Sequence, residues 1–513
     1  MSNTLIISVI VIYFLVLLFI AWLTSRKADN STFFLGEKKS PWYIVSFGMI
    51  GASLSGVTFI SVPGWVEGGQ FSYMQMVFGY FVGYLVVSYV LMPIYYRMNL
   101  ISIYEYLKHR FGFWSYKTGA AFFLLSRIIG ASIRLLLVAS VLQQILFDHW
   151  GVPFWATVVV SVLLIWIYTS RGGIKTIIWT DTLQTAFMLF AVFFTVYLVS
   201  DALSLSENGG VVEAIVDSKY SRVFFFDNWL SGNYFWKHFL GGMFITIGMT
   251  GLDQDMMQKN LSCKNIKEAQ KNMISMAFVL VVVNLVFLSM GALLFMYNQA
   301  TGIGDDVLKA EDTDLLFSAI AMDGSIGAAV GVLFLLGLIA AAYSSADSAL
   351  TSLTTSFSVD FLNVKEKGKD KSCVTSEELL GSVDKKGVNQ ERVRKLVHIA
   401  MSIVLILVVI ILRYTTEDSA IMLVIQLAGF TYGPLIGLFF FGILTKMQLR
   451  DNLVPIICSV VAIGTAVVWY LNDKADFGWF GDYKIGAELI IYNALLSFGA
   501  LFLISKRNPK ALN

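Results

Sequence analysis

The sequence predicts an all-α polytopic membrane protein of about thirteen transmembrane helices, with a core of two inverted units of five. Three observations predict it. Apolar residues make up 57% of the chain against 14% charged, and they fall in blocks of about 18 to 28, long enough to cross a bilayer as tilted helices. Two of those blocks, the second and the seventh, are interrupted by small residues. Lys and Arg collect in alternate connections, as the positive-inside rule requires of a multi-pass chain.

The spans centre near residues 14, 52, 84, 131, 160, 189, 246, 284, 339, 403, 430, 462 and 496. The first, about 4–24, lacks a small-residue cleavage site and runs straight into others, so it reads as a retained helix and not a signal peptide. The repeat core is expected over about 41–445 and two further helices over about 451–505, all within one membrane domain. Positive charge gathers at Arg26 to Lys39, Arg97 to Lys117, Arg171 and Lys175, Lys259 to Lys271, Lys365 to Lys395, and Lys506 to Lys510. In all, 28 of the 37 basic residues lie on that side, seven lie on the other, and Arg127 and Arg134 lie inside a span. This places the N-terminus outside and the C-terminus in the cytoplasm of a cell membrane.

The net charge of +2 therefore reflects topology, not a nucleic-acid partner. Cys263 and Cys373 fall in cytoplasmic loops and Cys458 in a span, so no disulfide is implied. Asn30-Ser31-Thr32 and Asn260-Leu261-Ser262 match the glycosylation pattern on the cytoplasmic side and read as chance. Four histidines and three scattered cysteines offer no metal cluster. No phosphate-binding glycine loop or nucleophile elbow is present, which argues against an enzyme. Residues 363–391 are rich in Lys, Glu, Ser and Gly and read as a mobile loop. The outer segment Leu203 to Asn233 carries Phe224, Phe225, Phe226 and Trp229, suited to the headgroup level, where Tyr73 and Gln75 are also expected as anchors or as lining of the outer approach. The acidic segment Asn298 to Gly324 reads as solvated.

Two interruptions carry the functional reading. The second span holds Gly48 and then Gly51-Ala52-Ser53-Leu54-Ser55-Gly56-Val57-Thr58; the seventh holds Gly241-Gly242 and Gly248-Met249-Thr250-Gly251. They lie five spans apart, so each of two units opens with a breakable helix, and five being odd makes the units opposite in orientation. Such pairs point to a transporter with a mid-membrane site. A third feature is the polar run in the ninth span, Ala340 to Ser348. Ala341, Ser344, Ser345 and Ser348 recur at i, i+3, i+4 and i+7, which puts neutral oxygens on one helical face. Polar groups at that depth mark a working site, and such oxygens suit a hard cation. The alternative is close helix packing through small residues.

At this point the chain resembles the sodium/solute symporter family of sodium-coupled sugar, proline, pantothenate, sialic acid and iodide carriers. The similarity runs from Trp42 to about Lys446. Besides the serine-rich helix it rests on Tyr168-Thr-Ser-Arg-Gly172-Gly173-Ile-Lys-Thr with Trp179-Thr180-Asp181 and Gln184. It rests too on Asp253-Gln254-Asp255-Met-Met-Gln258-Lys259 and on Gly429-Phe-Thr-Tyr-Gly433-Pro434-Leu-Ile-Gly437. The resemblance implies a LeuT-like five-plus-five core with one helix before it and two after. It also implies a shared sodium site at Gly51, Leu54, Ala341, Ser344 and Ser345. Some relatives hold a second sodium, which here would use Asp181, Ser345, Asp347 and Ser348. Asp347 departs from the pattern, being a carboxylate in place of a hydroxyl. Two nearby carboxylates either hold a cation or share a proton. The alternative for Asp181 is a helix-end carboxylate paired with Arg171 or Lys175.

The resemblance further implies solute contacts at Ser55 and Thr58 from the first broken helix, near Asp253 and Gln254 from the second, and near Gln426 from a later span; the alternative for each is a polar packing residue. Arg127 and Arg134 lie seven residues apart on one helical face. Each either binds an acidic solute bidentately or neutralises Asp181, Asp253 or Asp347. The function expected is sodium-coupled import of a small polar organic solute by alternating access, either a sugar or polyol or an acidic solute such as sialic acid or a monocarboxylate. A solute sensor and an uncoupled facilitator are the alternatives. Ten residues follow Leu503, with no attached kinase domain, and the cation-site oxygens are intact; these argue against the two. Sodium, solute and membrane lipid are the expected partners, and no obligate protein partner is implied.

Overall fold

The computed structural model describes residues 3–25, 33, 40–205, 209–309, 313–362, 390–415, 420–473, 481 and 483–506. The loop expected to be mobile therefore lies, over 363–389, outside the described residues. A helix covers every expected span centre. In chain order they are α1 (Asn3–Ser25), α2 (Trp42–Ser53), α3 (Gly56–Gly69), α4 (Tyr73–Arg97), α5 (Phe113–Phe147), α6 (Phe154–Gly172) and α7 (Ile174–Ala202). There follow α8 (Phe235–Thr246), α9 (Gln254–Leu261), α10 (Ile266–Thr301), α11 (Ala328–Phe361), α12 (Gln390–Thr415), α13 (Ala420–Leu444), α14 (Val454–Asp473) and α15 (Leu489–Leu503). Among the described residues nine helices are long and apolar enough to cross a membrane, or ten with the bent pair α2 and α3 as one span.

Both interrupted spans break. Helices α2 and α3 meet at 56°, at Leu54 and Ser55, where small residues free the backbone to turn. Helix α8 widens into a π-type turn over Ile247–Gly251 and stops at Leu252; Asp253 is extended and caps α9. A π-type turn is a recurrent feature of functional sites.

Helix α11 is the most deeply buried of the spans and α14 the least. The exposed side of α14 shows Ile456, Val460, Ile463, Val467 and Tyr470 at helical spacing, an apolar stripe suited to lipid. Around α11 pack α7, α5 and α12, and α2 lies across α7. The C-terminal helices are tied to the core by a short antiparallel pairing of Gln448–Leu449 with Ser505–Lys506. Asp451 also accepts the amides of Trp114 (2.7 Å) and Ser115 (2.8 Å), capping α5. Gly112, just before that helix, has φ +147°, and an added Cβ would lie 2.6 Å from the Asp451 carboxylate.

Candidate functional site

The first break supplies backbone oxygens. The Leu54 amide bonds the Ile50 carbonyl, and the next amide to resume the ladder is that of Phe59, bonded to Ser55. Among the described residues, the carbonyls of Gly51 to Leu54 are left outside that ladder, and Gly51, Ala52 and Leu54 are buried. Carbonyls freed at a helix end away from water need a partner. Gly51 is where α2 crosses α7, for a Cβ there would stand 2.1 Å from Thr185 Oγ1. Thr185 in turn donates to the Asp181 carbonyl at 2.7 Å.

Helix α11 supplies the hydroxyls. Ala341, Ser344, Ser345 and Ser348 are each at most 2% exposed. Ser344 donates to Asp181 Oδ1 at 2.7 Å, which leaves its lone pairs free for a cation. Ser345 Oγ, fully enclosed, has no hydrogen-bond partner among the described residues. Gly56, opening α3, sits against α11, where an added Cβ would be 3.8 Å from Ala342 Cα.

Asp181 lies two turns into α7 and is fully buried, so it is not a helix-end carboxylate. Its partner is Lys259, whose Nζ is 2.7 Å from Oδ2 and 2.8 Å from Ser348 Oγ. This corrects the charge pattern, which assigned Lys259 to a cytoplasmic loop. The lysine is 1% exposed, inside the bundle on α9. Asn260 beside it is also fully buried. Asp347 Oδ2 accepts from Tyr168 at 2.8 Å, and its Oδ1 has no hydrogen-bond partner within bonding geometry among the described residues.

A cavity of about 120 Å³ opens beside the first break. Ser55, Thr58, Arg127 and Arg134 line it, with Tyr73, Tyr80 and Tyr84. The two arginines differ. Arg127 bonds Asp255 directly and lies 3.8 Å from Asp253. Asp253 also accepts from Tyr432 and from the Asp255 amide at 2.9 Å. Arg127 is thus ion-paired with Asp255, a carboxylate not among those weighed from sequence, and stands near Asp253, which was among them. Arg134 is 9% exposed and has no ion pair or hydrogen bond among the described residues.

The other expected solute contacts lie elsewhere. Asp253 is fully buried and does not line this cavity. Gln254 is engaged with backbone, accepting from the Ile103 amide at 3.0 Å and donating to the Ile101 carbonyl at 2.8 Å. Gln426 lines a separate cavity of about 430 Å³ with Trp65, His238 and Trp469. Tyr73 reaches the central cavity, whereas Gln75 holds the outer segment, bonding the Phe225 amide and the Asn233 carbonyl, both at 3.0 Å. Lys259, Asp255, Tyr168 and Tyr432 escaped the sequence reading as site residues. A signal existed for two of them, because Asp255 and Lys259 stand at i, i+4 on a polar helix set between apolar spans.

Paired broken helices around a buried oxygen cluster and a cavity define a secondary transporter of the LeuT-like class. The chain belongs to the sodium:solute symporter family, which matches it over residues 33–449. It is 24% identical over 475 residues to the sodium/sialic acid symporter NanT of Aliivibrio fischeri, covering 91% of this chain and 87% of that protein. It is 26% identical to sodium-coupled monocarboxylate transporter 1 of Xenopus laevis, over 50% of this chain and 40% of that one. Its fold matches a solved Na+-coupled sialic acid symporter with a TM-score of 0.75 and 21% identity, covering 98% and 99% of the two chains. The chain is therefore a sodium-coupled multi-pass membrane transporter of a small solute, not an enzyme.

Proposed function

We propose that this transporter imports a small organic anion, and that Arg134 receives its carboxylate in the central cavity. The observation that carries the reading is an unpaired guanidinium, nine-tenths buried, facing the space beside the helix break. A buried charge without a partner is costly, and a planar carboxylate matches the guanidinium fork bidentately. Ser55 and Thr58 add hydroxyls for the rest of the solute. The sialic acid and monocarboxylate carriers among the relatives share this substrate chemistry.

The sodium ion in this reading binds the carbonyls of Gly51 and Leu54 with Ala341, Ser344 and Ser345. Support comes from the carbonyls outside the ladder and from the unpartnered Ser345 hydroxyl. Ion binding at the break favours the state that binds solute, and the coupling is reciprocal. The positive-charge asymmetry supports a cell-membrane protein with its N-terminus outside and C-terminus in the cytoplasm, in contact with lipid. The test is uptake into proteoliposomes of a panel of carboxylates and of neutral sugars and polyols, with and without an inward sodium gradient. The reading expects sodium-dependent accumulation of a carboxylate; preferred accumulation of a neutral solute would overturn it.

A further inference from the structure

We infer that the Lys259 ammonium is a built-in cation that takes the place of a second coupling ion, so that the chain binds one sodium only. The inference rests on the sodium-coupled reading of the same site and adds the number of ions.

Asp181, Ser345, Asp347 and Ser348 form an oxygen-rich set in which both carboxylates are fully buried. Such a set calls for a positive charge. The protein supplies one. Lys259 Nζ, 2.7 Å from Asp181 Oδ2 and 2.8 Å from Ser348 Oγ, uses the oxygens that a second ion would need. Ser348 in turn stands 3.4 Å from Asp181 Oδ2 as donor, so its proton points to the carboxylate and its lone pair to the lysine. A sodium ion bound to the same two oxygens would lie against the ammonium, and like charges at that range repel strongly.

The lysine has little freedom to step aside. Its helix, α9, is fixed at one end by the Asp253 cap and by the two Gln254 bonds to residues 101 and 103. Gln258 is bonded to Thr355 of α11 at 3.1 Å, and Asn260 is bonded to Asn272 of α10 at 2.8 Å. Lys259 is itself 1% exposed. Leaving Asp181 would strand both charges in a dry interior. Ser344 bonds the other oxygen of the same carboxylate, so one Asp181 group supports both the fixed cation and a ligand of the shared sodium site.

The experiment is equilibrium binding of 22Na+ to the purified full chain, with sodium as the probe. The wild type is expected to bind one ion and Lys259→Arg one. Lys259→Gln, which frees Asp181 and Ser348, is expected to bind two and to show a Hill slope above one. Two ions on the wild type would overturn the inference, as would a single ion on folded Lys259→Gln. Should that variant fail to fold, the wild-type and Lys259→Arg counts decide alone. An absence of binding to the wild type with one ion gained in Lys259→Gln would uphold the lysine's role while defeating the shared sodium site.

Discussion

Arg134 offers the sharpest test of the solute assignment, because its neighbour two turns away is a natural control. Charge-assisted hydrogen bonds contribute about 1.5–3 kcal/mol each. Arg134→Lys keeps the charge but loses the fork, and so about one such bond. At 1.4 kcal/mol per decade this is roughly a 10- to 150-fold rise in KM for the solute. Arg134→Gln loses the charge as well and should raise KM by roughly a hundredfold or more on the same scale. Removing an unpaired buried guanidinium relieves its desolvation, so folded yield should hold or improve. Arg127 behaves in the opposite way. It is bonded to Asp255 and lies near Asp253, and truncating it leaves carboxylates unpaired. The assay is initial-rate uptake in proteoliposomes, varying the carboxylate at saturating sodium and then sodium at saturating solute. Arg134 variants should shift the first constant far more than the second. An unchanged solute KM in Arg134→Gln would refute the assignment, whatever the effect on sodium.

Three further outcomes follow from the geometry. Ser345→Ala removes an unpartnered oxygen without disturbing the helix, so the half-saturating sodium concentration should rise about tenfold with normal expression; uptake at graded sodium checks this. Arg127→Gln should cost about 3–5 kcal/mol of stability, read by thermal unfolding in detergent, and adding Asp255→Asn should recover part of the loss. Gly51→Ala places a methyl 2.1 Å from Thr185 Oγ1 and should cost about 1–3 kcal/mol by overpacking; the accompanying Thr185→Ala, which removes that oxygen, should restore part of it in the same melt.

Much of the fold was legible because a bilayer leaves few choices. With no water for the backbone, apolar blocks must become helices, and their number and length can be counted directly. The two breaks were legible for a related reason, since only small residues let a membrane helix release its ladder bonds cheaply. The exact break in the second case was not. Glycines run to Gly251, yet the chain turns at Leu252 and Asp253, because Asp253 can accept the amides of Asp255 and Met256 and start the next helix. Spacing put Arg127 and Arg134 on one helical face and the family resemblance added Ser55 and Thr58, all four of which line one cavity, but periodicity could not say which arginine was already paired. Its partner, Asp255, is on another helix.

Lys259 is where the sequence reading ran out, and the reason is physical. A count of Lys and Arg treats every charge between apolar spans as facing water, and for loops that holds. The second half of a broken helix is an exception, since it is short, polar and yet buried. In α9 the residues from Gln254 to Leu261 are all buried, although most are residues that would be solvated elsewhere. They can be buried because each has a partner: Asp255 has Arg127, Gln254 has the 101–103 backbone, and Gln258 has Thr355. A lysine in that company must also find a counter-charge, and Asp181 is the one it meets. The polar helix therefore does more than complete a repeat. It carries a cation to Asp181, a carboxylate of the opposite repeat, and that links the second broken helix to the serine-rich helix of its own repeat through the same carboxylate that steadies Ser344.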